Sequence, residues 1–237
     1  MQQSWLVAAA AWIVQGLQGG ALRVCVPALM QRGRLALLLG VLAVAPLGMA
    51  AVAHAAAVDA RQIFAVAPQK PVDSELKVKV GDVAPDFALP GVDGNMVQLA
   101  SFRGRQAVVL SFVPAAFTPV CSGQWPGYDL LRDEFEKRNA TLIGITTDNV
   151  ASLYAWTRQM GTDAAGEPTG VWFPVVSDFW PHGATAARYG LLRSDGTTER
   201  ALVVVDRQGI IRFIHVADIN RRPPIDPLFK ALDGLKP

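Results

Sequence analysis

Aspartate and glutamate are missing from the first 57 residues, which are dominated by Ala, Leu and Val. Within that stretch Met30-Gln-Arg-Gly-Arg34 is short and basic. It leads into the apolar run Leu35–Ala45 and then into small residues ending at Ala53-His-Ala55. Positive, apolar, then small with an A-x-A exit is the order of a secretory signal. The expectation is an exported, periplasmic protein whose translation starts at Met30, with residues 1–57 as leader. An uncleaved anchor stays open, because residues 35–57 are just long enough to span a bilayer. A lipoprotein is disfavoured, since Cys25 precedes the apolar run. The leader holds three of the 22 Lys and Arg residues and none of the 20 acids, so the remainder carries 19 basic against 20 acidic groups. The basic balance of the whole chain is therefore a leader property and gives no support for nucleic-acid binding.

Cysteine and histidine are nearly as scarce. With Cys25 assigned to the leader, Cys121 is the single thiol of the mature part. A lone cysteine in an exported protein cannot form an internal disulfide, so it is either reactive or paired with an outside partner. Cys121-Ser-Gly-Gln124 is not C-x-x-C, which disfavours a thioredoxin-type oxidoreductase. His182 and His215 stand far apart with no second cysteine, so no metal site is expected. No glycine-rich phosphate loop or dinucleotide fingerprint follows a strand, and no cofactor is expected.

About 180 residues remain, enough for one core. Residues 58–76, with Pro68 and Pro71, read as an extended tether, and 77–237 as one domain. Phe87-Ala-Leu and Met96-Val-Gln-Leu flank a hairpin turn at Asp93-Gly94. Strands are expected at 107–113, 141–146, 173–176, 201–205 and 210–216. Helices are expected at about 119–138, 149–160, 181–189 and 225–235. This alternation implies an α/β fold with a mixed sheet and is compatible with a thioredoxin-like fold.

The octapeptide Pro114-Ala-Ala-Phe-Thr-Pro-Val-Cys121 lies between the expected strand 107–113 and the helix after it. Thr118 reads as an N-cap and Pro119 as the first helical residue. Cys121 would then occupy the first helical turn, where free N–H groups and the helix dipole favour an anion. The thiolate is the nucleophilic form of cysteine. The competing role for Cys121 is a buried apolar residue.

Pro114, Thr118 and Cys121 in this spacing resemble the active-site motif of the peroxiredoxins. Val80-Gly-Asp-Val-Ala-Pro-Asp-Phe-Ala-Leu-Pro90 is similar to an N-terminal segment of that family. Ser177-Asp-Phe-Trp-Pro-His-Gly183 is similar to a segment of its one-cysteine, alkyl-hydroperoxide-reductase-E-like class. Arg200 through Phe213 resembles the strand pair carrying the family's arginine. The resemblance spans roughly 77–236 and implies the thioredoxin-like fold: a mixed central sheet, flanking helices and an N-terminal hairpin.

It further implies a thiol-dependent peroxidase acting on hydrogen peroxide or organic hydroperoxides. Cys121 would attack the peroxide and become a sulfenic acid. The Cys121 N–H, the Thr118 hydroxyl and the Arg200 guanidinium would donate to the developing negative oxygen, and Pro114 would shield the sulfur. Without the resemblance, Thr118 is a cap and Arg200 a surface partner of Glu199. Gln124 and Trp125 share the Cys121 helix face. Gln124 reads as network or core and Trp125 as pocket wall or core; Trp180 and His182 read as structure or interface. With no further cysteine after Cys121, an external thiol, protein or small molecule, would resolve the sulfenic acid. The resemblance also implies a homodimer. The rival readings are a non-catalytic thioredoxin-fold binding or chaperone module and a thiol-disulfide exchange protein, membrane-tethered if the leader stays.

Overall fold

A computed structural model describes residues 69–235. The leader and tether residues 58–68 lie outside the described residues. Residues 69–76 form no helix or strand, bend at Pro71 and Ser74, and lie against the domain: the Asp73 and Ser74 N–H groups donate to Glu199 at 2.6 and 2.8 Å, and Arg193 donates to the Lys70 carbonyl at 3.0 Å.

The chain first makes a small antiparallel hairpin, β1 (Ala88–Pro90) and β2 (Met96–Gln98). Its turn contains Gly94 at φ 84°, a left-handed conformation that favours glycine. The main sheet follows from β3 (Ala107–Phe112), β4 (Ala140–Thr146), β5 (Val175–Ser177), β6 (Ala201–Val205) and β7 (Ile211–Val216). Its order is β5-β4-β3-β6-β7. The β3, β4 and β5 strands run parallel; β6 is antiparallel to β3, and β7, antiparallel to β6, runs in the direction of the first three. The sheet is mixed, as the sequence pattern implies.

The strands β3, β4 and β6 are buried throughout, so their runs of apolar residues need no polar alternation. Side chains still alternate between the faces. Val108, Leu110 and Phe112 enter one core with Ile143, Ile145 and Val203. Val109, Leu142, Leu202 and Val204 enter the other, with Trp125, Trp156 and Phe135. The second core also contains Cys121.

The helices are α1 (Cys121–Asp129), α2 (Arg132–Glu136), α3 (Val150–Thr157), α4 (Ala184–Tyr189) and α5 (Asp226–Asp233). The expected helix over about 119–138 is therefore two. Pro126 lies inside α1 and cannot donate to the turn before it, and Gly123 and Gly127 weaken that helix. The break leaves Leu130 88 % exposed, whereas Phe135 is buried as its spacing requires. The helix expected at 181–189 begins at 184, because His182 and Gly183 are left-handed at φ 46° and 71°.

Candidate active site

Sheet register brings the chemistry together. Ala201 pairs with Phe112 in the antiparallel β3–β6 ladder, so Arg200 stands beside the loop leaving β3. That loop is fixed at its start by the Val113 N–H on the Ile145 carbonyl at 3.0 Å and by the Thr198 hydroxyl on the Val113 carbonyl at 2.7 Å. Pro114, itself buried, follows and turns the chain towards α1.

Cys121 is the first residue of α1 and is 0 % exposed. Arg200, 1 % exposed, donates from Nη2 to the Cys121 Sγ at 3.3 Å. Its Nη1 donates to Gln124 Oε1 at 2.5 Å and its Nε to the Ile219 carbonyl at 3.1 Å. Three directions of the planar guanidinium are thus fixed, which suits a positioned donor. The expected partner Glu199 instead meets Arg193 at 2.7 Å. Among the described residues, no carboxylate lies within ion-pair distance of Arg200. A buried cation without a counter-ion is costly, and here one of its N–H groups is directed at the Cys121 sulfur.

Gln124 extends the network. Its Nε2 lies 3.4 Å from Ser111 Oγ and 3.3 Å from the Tyr128 hydroxyl. Burial pushes the Tyr128 phenol above its ordinary range, against the opposing Gln124 hydrogen bond and Arg200 charge. Tyr128 is therefore a neutral hydroxyl at physiological pH. Trp125 is fully buried and donates to Ser111 Oγ at 3.1 Å. Its ring stacks at a tilt on Trp156, 4.9 Å away, so it belongs to the core beneath the site rather than to an open wall.

Thr118 departs from its expected capping role. Helix α1 begins after Val120, with no side-chain cap. The Thr118 hydroxyl donates to the Ala115 carbonyl at 3.1 Å, and its own carbonyl accepts from the Ser122 N–H at 2.9 Å. The loop turns tightly enough at Phe117, φ 60°, that the hydroxyl faces back along the loop rather than forward onto helical N–H groups. The structure thus joins Cys121, Arg200 and Gln124 directly, with Thr118 and Pro114 on the adjoining loop. Trp180 and His182 are exposed and meet each other edge-on at 4.7 Å.

Several residues escaped the sequence reading. Ser111 is the polar member of the Ala-Val-Val-Leu-Ser-Phe strand, and that polarity inside a buried run is the signal that could have found it. Tyr128 lies four residues after Gln124 on the same helix face. Arg222 donates from Nη1 to the Gly123 carbonyl at 3.2 Å, lying where a side chain at 123 would stand. Asp148 accepts from the Ala116 N–H at 2.7 Å.

Comparison with known proteins agrees with this geometry. The AhpC/TSA family matches residues 80–214. Alkyl hydroperoxide reductase E of Mycobacterium tuberculosis is 39% identical over 140 residues, covering 57% of this chain and 84% of that one. A peroxiredoxin of Thermotoga petrophila is 34% identical over 161 residues, covering 66% and 71%. The reduced 2-Cys peroxiredoxin of Plasmodium vivax superposes with a TM-score of 0.58 at 29% identity, covering 65% of this chain and 80% of that one. Those neighbours carry the thioredoxin-like fold, which this mixed sheet with its flanking helices shares. On the family match, the relatives and the shared fold together, the chain belongs to the AhpC/TSA family, the peroxiredoxins.

Proposed function

We propose that this chain is a one-cysteine thiol peroxidase in which Cys121 reduces hydrogen peroxide or an organic hydroperoxide. Peroxidase chemistry comes with the family; the single-cysteine cycle and the outside reductant are the proposal. The observation that carries it is the Arg200 guanidinium 3.3 Å from the Cys121 sulfur, with no carboxylate within ion-pair distance among the described residues. The thiolate attacks one peroxide oxygen, the O–O bond breaks, and the leaving oxygen takes a proton to depart as water or an alcohol. Arg200 donates to the charge developing on the oxygens, and the Cys121 N–H at the helix start can do the same.

Cys121 is the one free cysteine among the described residues. Its sulfenic acid therefore condenses with an external thiol, and a second thiol releases the product disulfide. The Plasmodium vivax neighbour is named a 2-Cys enzyme, whereas alkyl hydroperoxide reductase E is the more identical relative. Export to the periplasm, or a membrane tether if the leader stays, and a homodimer complete the proposal. They rest on the order of residues 30–57 and on family resemblance.

Stopped-flow mixing with peroxide tests the cycle. Cys121→Ser should abolish consumption, and the oxidised wild type should form a mixed disulfide only when an external thiol is added. A wild-type rate no faster than free cysteine would end the peroxidase reading. A disulfide between Cys121 and the chain's other cysteine, Cys25, formed on peroxide treatment with no added thiol, would end the one-cysteine cycle.

A further inference from the structure

Among the described residues, Asp148 is the one charged side chain that holds the middle of the active-site loop, and no role in the chemistry above uses it. It follows β4, where its backbone is anchored from two sides. The Ser177 hydroxyl donates to its carbonyl at 2.6 Å, and its own N–H lies 3.3 Å from Thr146 Oγ1. From that footing its Oδ2 accepts two hydrogen bonds: the Thr146 hydroxyl at 2.7 Å and the Ala116 N–H at 2.7 Å. The first comes from its own strand end. The second crosses to the loop between β3 and α1.

Ala116 precedes Phe117, which sits at φ 60° with its side chain half exposed. A left-handed phenylalanine is a strained conformation that persists only where the surroundings over-determine it. The loop's ends are fixed by Val113 and by α1. Between them, the Asp148 carboxylate and the Thr118 hydroxyl on Ala115 are the side-chain bonds that hold its backbone. A charge-assisted bond to a backbone N–H is about twice as strong as a neutral one.

We infer that Asp148 is a positioning residue of the peroxidase: through Ala116 it holds the strained turn that sets Pro114 and Thr118 beside Cys121. It touches neither sulfur nor substrate and acts through the loop. Both of its bonds use one carboxylate oxygen, so acceptance, not charge, is the required property. An asparagine, with one carbonyl oxygen, can take the same place. An alanine cannot, and a serine is too short to reach. The inference rests on the peroxidase reading of Cys121.

The test is the second-order peroxide rate of Asp148→Ala and Asp148→Asn, with folding checked by urea unfolding. Asp148→Ala should be slower by roughly tenfold, the size expected for one lost charge-assisted hydrogen bond. Asp148→Asn should recover to within about threefold of wild type, since amide and carboxylate oxygens both accept. If Asp148→Ala fails to fold, Asp148→Ser carries the same expectation. A folded Ala or Ser variant at the wild-type rate would overturn the inference, as would an Asn variant equally slow. Amide hydrogen exchange at Ala116 gives a reading independent of activity: protection should fall in Asp148→Ala and persist in Asp148→Asn. Unchanged protection overturns the clamp even if the wild type proves inactive, whereas lost protection with an inactive wild type overturns only the peroxidase reading.

Discussion

Replacing Arg200 by methionine should separate catalysis from stability. Two stability terms oppose each other. Methionine leaves the Ile219 carbonyl and Gln124 Oε1 without their donor, which costs ~1–3 kcal/mol for each orphaned acceptor. It also removes a buried cation that has no carboxylate partner among the described residues, whose desolvation penalty is several kcal/mol. The flexible thioether fills much of the vacated space. The two terms are of similar size, so unfolding free energy should move by less than about 2 kcal/mol in either direction. Catalysis has no such compensation. Arg200 is the side-chain donor on the Cys121 sulfur, 3.3 Å away. Losing one donor aimed at developing charge costs about 100- to 1,000-fold, or ~3–4 kcal/mol. The site supplies its own reporter, because the Trp156 N–H donates to Ser122 Oγ at 3.2 Å, one residue beyond Cys121. Stopped-flow tryptophan fluorescence should follow oxidation of the sulfur, and urea unfolding should give stability. An Arg200→Met protein reacting within about threefold of wild type would refute the assignment of the guanidinium to the transition state, because that is far less than the loss expected of such a donor.

Two further perturbations probe the scaffold. Gly144→Ala would place a methyl 2.7 Å from Trp125 Cζ2; it should cost ~1–3 kcal/mol by overpacking, read as a lower urea midpoint, and an unchanged midpoint would contradict the packing under the site. Asp73 is held below the ordinary aspartate value of 3.8, first by the Ser194 hydroxyl and then by the Ser194 N–H. Its lowered folded value means that this link is present above pH 3.8 and is lost as pH falls through the lowered value. Ser194 amide protection should therefore persist as pH falls through 3.8 and fail only well below it, and loss at or above pH 3.8 would contradict the linkage.

The strands were legible because β3, β4 and β6 are apolar runs too short for helices and bounded by turn residues. The sulfur was legible because a lone cysteine follows a strand and opens a helix. Arg200 needed family resemblance, since nothing local distinguishes it from a surface arginine. The break after Asp129 was written in Pro126-Gly127, but the spacing of Leu130, Leu131 and Phe135 outweighed it. Ser111 and Tyr128 were signalled only by a polar residue in an apolar run and by helical spacing, and their partners, like those of Asp148, come from β3, α1 and the loops only once the register is set.

The pairing of Glu199 with Arg200 was the misleading alternative, and elementary geometry opposes it. Successive side chains entering a strand point to opposite faces. Glu199 turns to Arg193 and accepts the N–H groups of Asp73 and Ser74, while Arg200 turns to the sulfur. The acid is thereby fully taken up on the far side. Its negative charge does not neutralise the guanidinium, and the segment 69–76 lies against it through the Asp73 and Ser74 N–H groups. An ion pair between these neighbours would have drawn the cation away from Cys121. The alternation of the strand prevents this, and so leaves Arg200 as the positive group facing the thiol.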